Sequence, residues 1–347
     1  MQKFEKHLVP TVFLILVIGS IYFSGASPNY IIDQLYARFI RNGVIVIALL
    51  IPIMVGMGIN FAITIGAISA QIGLIFALDF QIEGFLGLIF ALVVSLVISY
   101  FAGILIAWVM NKAKGKEMIC GIVISYLGTN LYHLIFMVGY GTIIPPRNSD
   151  MVLSTGVGLR NMLDSAMYRD VFHQFFIITI GNIKIAFLPI FVIILSALFV
   201  FYISRTRFGY QLRVVGESLE KAEMLGIDVN KVRKRAIIIS TMLAAIGQIL
   251  FIQNMGVINV YTGHLNINIF AAAALMAGGA TLKEAKIRHA FQGLILYHTL
   301  FILSPIAGQN IFQNVALGEY FRSFVAYSTI VFALAMSMRK EEMEESI

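Results

Sequence analysis

The sequence predicts an all-α polytopic membrane protein, and three observations carry the prediction. Of 347 residues, 59% are hydrophobic and only 12% are charged, against roughly a quarter charged in a soluble domain. The charges bracket long charge-free runs. Lys and Arg are also unevenly shared between the two sides that those runs define. A soluble domain of this length could not cover its surface with so few polar side chains. That excludes an ordinary soluble enzyme, a disordered chain and a secreted disulfide scaffold. The single cysteine, Cys120, cannot crosslink the chain internally.

A crossing needs about 20 mostly apolar residues. Walking between charges places about ten spans, at 8–23, 42–57, 61–78, 84–110, 118–140, 185–203, 236–253, 267–282, 289–304 and 316–338. Pro28 and Asn29 end the first near Phe23. Phe23-Ser24-Gly25-Ala26-Ser27 resembles a leader cleavage site, but removing residues 8–23 would invert the parity that the charges support. The run 42–78 is too long for one crossing and contains Gly56-Met57-Gly58-Ile59-Asn60, so it is split there. The run 236–282 is broken near Gly256 to Asn266 for the same reason. Breaks at comparable places imply two internally related halves with broken or re-entrant helices. In this reading every Asp, Glu, Lys and Arg lies in a loop or at a span end.

Placing the N-terminus inside puts both termini inside. Of the 25 Lys and Arg, 18 then fall on the inner side and 7 on the outer, as the positive-inside rule requires. The net charge of +7 is therefore an orientation signal, and no nucleic-acid partner is expected. Two polar segments remain, an inner one over 204–235 and an extracytoplasmic one over 141–184.

Several motifs are absent. No phosphate-binding loop, His-Glu-x-x-His, Cys-x-x-Cys or Gly-x-Ser-x-Gly occurs. Nor do the spans hold the carboxylate that ion-driven pumps keep. His133, His264 and His298 read first as hydrogen-bonded structural residues. A stand-alone secondary transporter or a membrane-embedded transferase is the competing reading, and each lacks its characteristic acidic residue. Uphill movement of a solute would thus draw its energy from another subunit.

Polar residues inside spans face a neighbouring helix or a wet cavity. Asn60, Phe61, Thr64, Ser69 and Gln71 lie beside the first break. Gln253, Asn254, Asn266 and Asn268 lie beside the second, and Asn130 and His133 sit in the fifth span. These are the solute-pathway candidates, with Gln248, Gln292 and His298 as further polar residues. Neutral amides and hydroxyls suit a polyhydroxylated or nucleobase-like solute. The competing reading for each is an inter-helix hydrogen bond, worth about 0.6 kcal/mol on average. Tyr132, Phe136 and Tyr140 form a stripe at helical spacing that reads as packing. Met162, Ala166, Tyr168, Val171 and Phe175 predict a helix lying at the outer interface.

In the inner segment, Ser218 to Leu225 reads as a short helix. Ser218 is its N-cap, Glu220 lies in the first turn, and Gly226 is the stop. Leu219, Ala222 and Leu225 give it an apolar face. So short a helix needs a surface to dock on.

The run Thr206-Arg207-Phe208-Gly209, with Arg213 and Gly216, then Ala222 and Gly226-Ile227, resembles the cytoplasmic coupling loop of ABC-importer permease subunits. The family in question serves simple sugars, nucleosides and branched-chain amino acids. Residues 56–73 resemble that family's glycine-rich third span. Thr262-Gly263 through Gly279 resembles its small-residue segment ending in paired glycines. The likeness covers about residues 40–335. Two departures stand out: Glu217 where the family usually has Asn, and 281–288 where it usually has a second glycine-rich turn.

The resemblance implies a pathway formed by two permease subunits, identical or not, in the cytoplasmic membrane. ATP and Mg would be held by separate ATPases, with no cofactor on this chain. An external binding protein would deliver the solute. The mixed charges of 141–184 offer Arg160, Asp164 and Asp170 as its contacts, the competing reading being a solvated loop helix with no partner. Gly216, Glu217, Ala222, Gly226 and Ile227 would sit in a groove on the ATPase, with Ser218, Leu219 and Leu225 of the short helix beside them. A simple sugar or nucleoside is the expected solute; a branched-chain amino acid or a riboflavin-like molecule is the alternative.

Overall fold

The computed structural model describes residues 2–174, 177–180, 183–314, 316–324, 327–328, 331–332 and 335. Its helices in chain order are α1 (Gln2–Ser24), α2 (Pro28–Ala48), α3 (Leu50–Met54), α4 (Ile63–Asp79), α5 (Gly84–Lys112) and α6 (Glu117–Leu134). Then follow α7 (Ala166–Gln174), α8 (Phe187–Arg205), α9 (Arg207–Glu217), α10 (Leu219–Met224), α11 (Val229–Met255), α12 (Ile267–Ala277) and α13 (Ile287–Phe312). Four short strands are β1 (Met162–Asp164), β2 (Ile177–Ile180), β3 (Ile183–Ala186) and β4 (Val257–Asn259). β1 pairs antiparallel with β4, and β2 with β3.

Six helical segments are long and apolar enough to cross a membrane: Pro28–Met54, Gly84–Lys112, Glu117–Gly139, Phe187–Arg205, Val229–Met255 and Ile287–Phe312. Leu8–Ser24, α4 and α12 are shorter apolar helices. Of the expected final span, 316–338, residues 316–324 are helical, and nine of the others lie outside the described residues. α11 is the hub, packing on α2, α4 and α5, while α13 packs on α1, α2 and α12. α5, α6 and α8 turn large apolar side chains outward, among them Phe101, Leu105, Leu127 and Phe199. That is the surface a hydrocarbon solvent calls for.

The structure corrects the second expected span. Its helix begins at Pro28, not at 42, because Ser27 accepts a hydrogen bond from the Tyr30 amide and Pro28 occupies the first turn. A serine cap followed by proline is a start signal. Asp33, Arg38 and Arg41 therefore lie inside a helix. The expectation that no charge lies within a span fails for the two arginines.

The break between α2 and α3 has a covalent cause. Pro52 cannot donate to the Ala48 carbonyl four residues back. The Ser240 hydroxyl of α11 donates to that carbonyl instead, at 2.8 Å.

The two ends of the molecule differ. One carries α9 and α10, where Glu223 of α10 pairs with Lys114 and Asn111 donates to the Asn230 carbonyl at the start of α11. The other carries the four strands and α7. There the Tyr168 hydroxyl donates to the Ile82 carbonyl at 2.8 Å, and Asp79 accepts from the amides of Arg147 and Asn148. Burial, with Glu83 nearby, pushes the Tyr168 hydroxyl up to about 12, so it remains a donor. The expected interface helix is divided. Met162 belongs to β1, and α7 starts only at Ala166, whose amide is capped by Asp164. Tyr168 is buried rather than laid on a surface. Phe175 lies outside the described residues.

Candidate functional site

The first break, residues 55–62, is a tied knot. Asn60 Oδ1 accepts from the Ala62 amide at 3.0 Å, and its Nδ2 donates to the Ser240 hydroxyl. Asn268 of α12 donates to the Phe61 carbonyl at 3.0 Å. Thr64 bonds back to the Phe61 carbonyl and Ser69 to the Ile65 carbonyl. Unwound backbone at membrane depth must find partners, and these side chains supply them. Asn60, Thr64, Ser69 and Asn268, expected to meet a solute, are buried and bonded within the chain.

Gln71 joins α4 to the second break. Its Nε2 donates to the Asn259 carbonyl at 3.0 Å, which orients the amide and leaves Oε1 facing His264 Nδ1 at 2.8 Å. Since Oε1 can only accept, His264 carries its proton on Nδ1. His133 Nε2 lies 2.9 Å from the Tyr261 carbonyl, and Gln253 donates to the Arg169 carbonyl. Asn254 accepts from Arg41 Nε at 2.6 Å. Asn266, at φ 60°, turns the chain into α12 and is exposed. Asn130 bonds back to Tyr126 on an exposed face of α6, away from these groups. Tyr132, Phe136 and Tyr140 are buried, with neighbouring ring centroids 4.8 and 5.9 Å apart. The stripe is packing.

A cavity of about 180 Å³ opens beside the second break, between α2, α11, α12 and α13. Arg38, Asn42, Tyr297 and His298 are among its lining residues, with Phe251, Phe270 and Phe301 in its walls. The Tyr297 hydroxyl and both ring nitrogens of His298 are buried without a hydrogen-bond partner. Sequence reasoning had His298 among its polar residues. It missed Arg38, Asn42 and Tyr297, because the charge walk placed Arg38 in a loop.

At the opposite end, α9, α10 and the following turn form an arm. Ser218 caps α10 by accepting from the Lys221 amide at 3.2 Å, and Gly226, at φ 71°, ends it. Gly216 is where the arm meets the first break. A Cβ built on Gly216 would sit 2.4 Å from the Met54 carbonyl oxygen, and one on Gly56 would sit 2.9 Å from the Gly216 Cα. Backbone touches backbone there, and only glycine fits.

Ala222 is 0% exposed and belongs to the core. It is therefore not available to an outside groove as expected. The arm presents Met224, 87% exposed, and Leu225, 69% exposed, on its tip instead. Glu217 pairs with Lys221 at 3.5 Å, and Leu219 packs on the core. Beneath the arm, Arg233 of α11 forms a buried ion pair with Glu117 of α6 at 2.5 Å. Its Nε also donates to Asn111. At the strand end, Arg160 Nε donates to the Val152 carbonyl while Asp164 caps α7. The side chain of Asp170 lies outside the described residues.

Comparison with known proteins agrees with this architecture. A family model described as branched-chain amino acid transport system / permease component matches residues 31–336. The high-affinity branched-chain amino acid transport system permease protein BraD of Pseudomonas aeruginosa is 26% identical over 161 residues, 45% of this chain and 48% of that one. The autoinducer 2 import system permease protein LsrC of Klebsiella pneumoniae is 38% identical over 80 residues, 23% of each chain. The chain thus spans about half the length of the first curated relative and about a quarter of the second. The family model spans most of the chain, and the chain belongs to the family of branched-chain amino acid transport system permease components.

Proposed function

We propose that this chain forms the solute pathway of an ABC importer. It spans the cytoplasmic membrane about ten times in two related halves, with both termini inside. The two breaks, one at each end of the molecule, support an inverted arrangement of the halves. A second permease subunit completes the pathway, separate ATPases hold ATP and Mg, and an extracytoplasmic solute-binding protein delivers cargo at the strand end. Arg160, Asp164 and Asp170 are the docking candidates there.

The observation that carries the reading is the arm. It shows two large apolar side chains at the tip of an otherwise charged element, and its root is in backbone contact with the first break. Two adjacent exposed apolar side chains rimmed by charge offer a partner an apolar grip, and larger patches of this kind are typical of docking surfaces. A partner gripping Met224 and Leu225 would move the first break directly. Glu217, Ser218, Gly226 and Ile227 shape the arm, and Ala222 holds it to the core.

The expected preference for a simple sugar or nucleoside rested on free amides beside the breaks. Asn60, Gln71 and Asn268 are committed to internal bonds, so these three amides no longer support that preference. BraD is named for branched-chain amino acids and LsrC for autoinducer 2, so a simple sugar or nucleoside and a branched-chain amino acid both stand as solute classes.

The arm is tested by changing Met224 and Leu225 to Asp and measuring ATPase co-purification from membranes. Loss of association with normal membrane abundance is the expected result. Retained association and transport would remove the arm from the mechanism. Ala222→Asp, by contrast, should lower abundance, since it buries a charge.

A further inference from the structure

Three features of the cavity beside the second break point to its occupant. The first is Arg38. Its guanidinium stacks on the Phe301 ring at 4.9 Å. Among the described residues no carboxylate lies within ion-pair distance of it. Arg322 lies over the same ring at 5.1 Å, but its charge is engaged by Glu319. Arg41, one turn further along α2, is taken up by Asn254. The neighbourhood therefore holds three guanidiniums, and among the described residues the one lining the cavity has no anion.

An arginine inside a span costs about 3 kcal/mol on insertion scales, and such residues are kept mainly where they serve a pathway. The second feature is the set of orphaned polar atoms. His298, 2% exposed, lines the cavity with both ring nitrogens unpartnered, and the buried Tyr297 hydroxyl beside it is unpartnered too. Buried polar atoms of this kind ordinarily have partners. The third is size. A cavity of about 150 Å³ holds benzene, so 180 Å³ accepts a group on the order of six to eight heavy atoms.

We propose that this cavity binds the transported solute through an anionic group, a carboxylate or a phosphate, received by Arg38. Tyr297 and His298 hydrogen-bond the same head. The apolar remainder lies against Phe251, Phe270 and Phe301. A guanidinium fork matches either oxyanion, and the aromatic walls exclude a solute that is polar on every side. The inference rests on the importer reading and names what that importer selects.

The test uses the complete transporter with its ATPase and binding protein in cells. Solutes accumulated by these cells are compared by mass spectrometry with those of cells carrying an inactive ATPase. The expected result is an accumulated solute bearing a carboxylate or a phosphate, and its formula distinguishes the two. In Arg38→Gln, the external concentration for half-maximal uptake of that solute should rise about tenfold to a hundredfold, with Arg38→Lys intermediate. Tyr297→Phe keeps the packing and removes one hydroxyl, so it should rise a few-fold; it serves if Arg38→Gln fails to assemble.

An accumulated solute with neither group overturns the proposal and leaves the importer reading standing. So does an unchanged half-saturation in Arg38→Gln, the outcome expected if a fixed lipid phosphate or a neighbouring subunit met Arg38. No accumulation by the intact transporter overturns both.

Discussion

Arg233 and Glu117 show how single residues set the stability of the arm's foundation. The guanidinium is 2% exposed and contacts Glu117, Asn111 and the Met110 carbonyl. Breaking a buried pair on one side leaves a bare charge, at about 3 kcal/mol or more, whereas removing both partners costs far less. Arg233→Leu should therefore lower the melting temperature of the purified protein more than Arg233→Leu combined with Glu117→Leu. A double variant no better than the single would show that the pair contributes nothing through its charge.

The residue scale is also where sequence reasoning fell short. It named the amides near the breaks as candidates for the solute path, with inter-helix hydrogen bonding as the competing reading, and could not decide between the two. Unwound backbone has its own unpaired groups, and Asn60, Gln71 and Asn268 serve those first. Asn60 turns back on the Ala62 amide two positions on, but the carbonyls that Gln71 and Asn268 meet lie 188 and 207 positions away. Local sequence does not encode that.

At the scale of elements, α12 and α13 cross at the closest approach. A Cβ on Gly293 would lie 1.8 Å from the Ala274 carbonyl oxygen, and one on Gly278 would lie 1.9 Å from that of His289. Gly293→Ala must push the two helices apart, and overpacking of this kind costs about 1–3 kcal/mol. Its melting temperature should fall. Gly19→Ala, where a Cβ meets nothing within 4 Å, should hold or gain stability. Equal behaviour of the two variants would contradict the crossing. Most helices were legible from charge-free runs, because lipid solvation forbids charge wherever it reaches. The start of α2 was not, although Ser27-Pro28 announces it. A protein-facing helix such as α2 tolerates arginines that a lipid-facing one does not, and the charge walk cannot tell the two apart.

For the whole molecule, a permease subunit of the proposed kind has no motor of its own. Reconstituted alone in vesicles, the chain should show no concentrative uptake under a proton or sodium gradient, measured with labelled L-leucine. Ion-driven accumulation by the isolated chain would end the importer reading. The molecule's centre, α2, α11 and α13, is sheathed by helices that face lipid, and the two breaks sit at opposite ends of the bundle. An all-α membrane protein and the short helix of the arm could be read in advance. The cavity could not, since it exists only where α2, α11, α12 and α13 converge.

Pro52 interrupts the rod formed by α2 and α3 without ending it, because Ser240 restores the lost bond. Its 27 residues run roughly 40 Å, from the backbone contact at Gly56 past the guanidinium of Arg38. A thermodynamic consequence follows. If gripping the tip tilts this rod, cargo seated at the far end must bias the grip by an equal free energy, because linkage has no preferred direction. Cargo and nucleotide would then each read the other's occupancy through one helix.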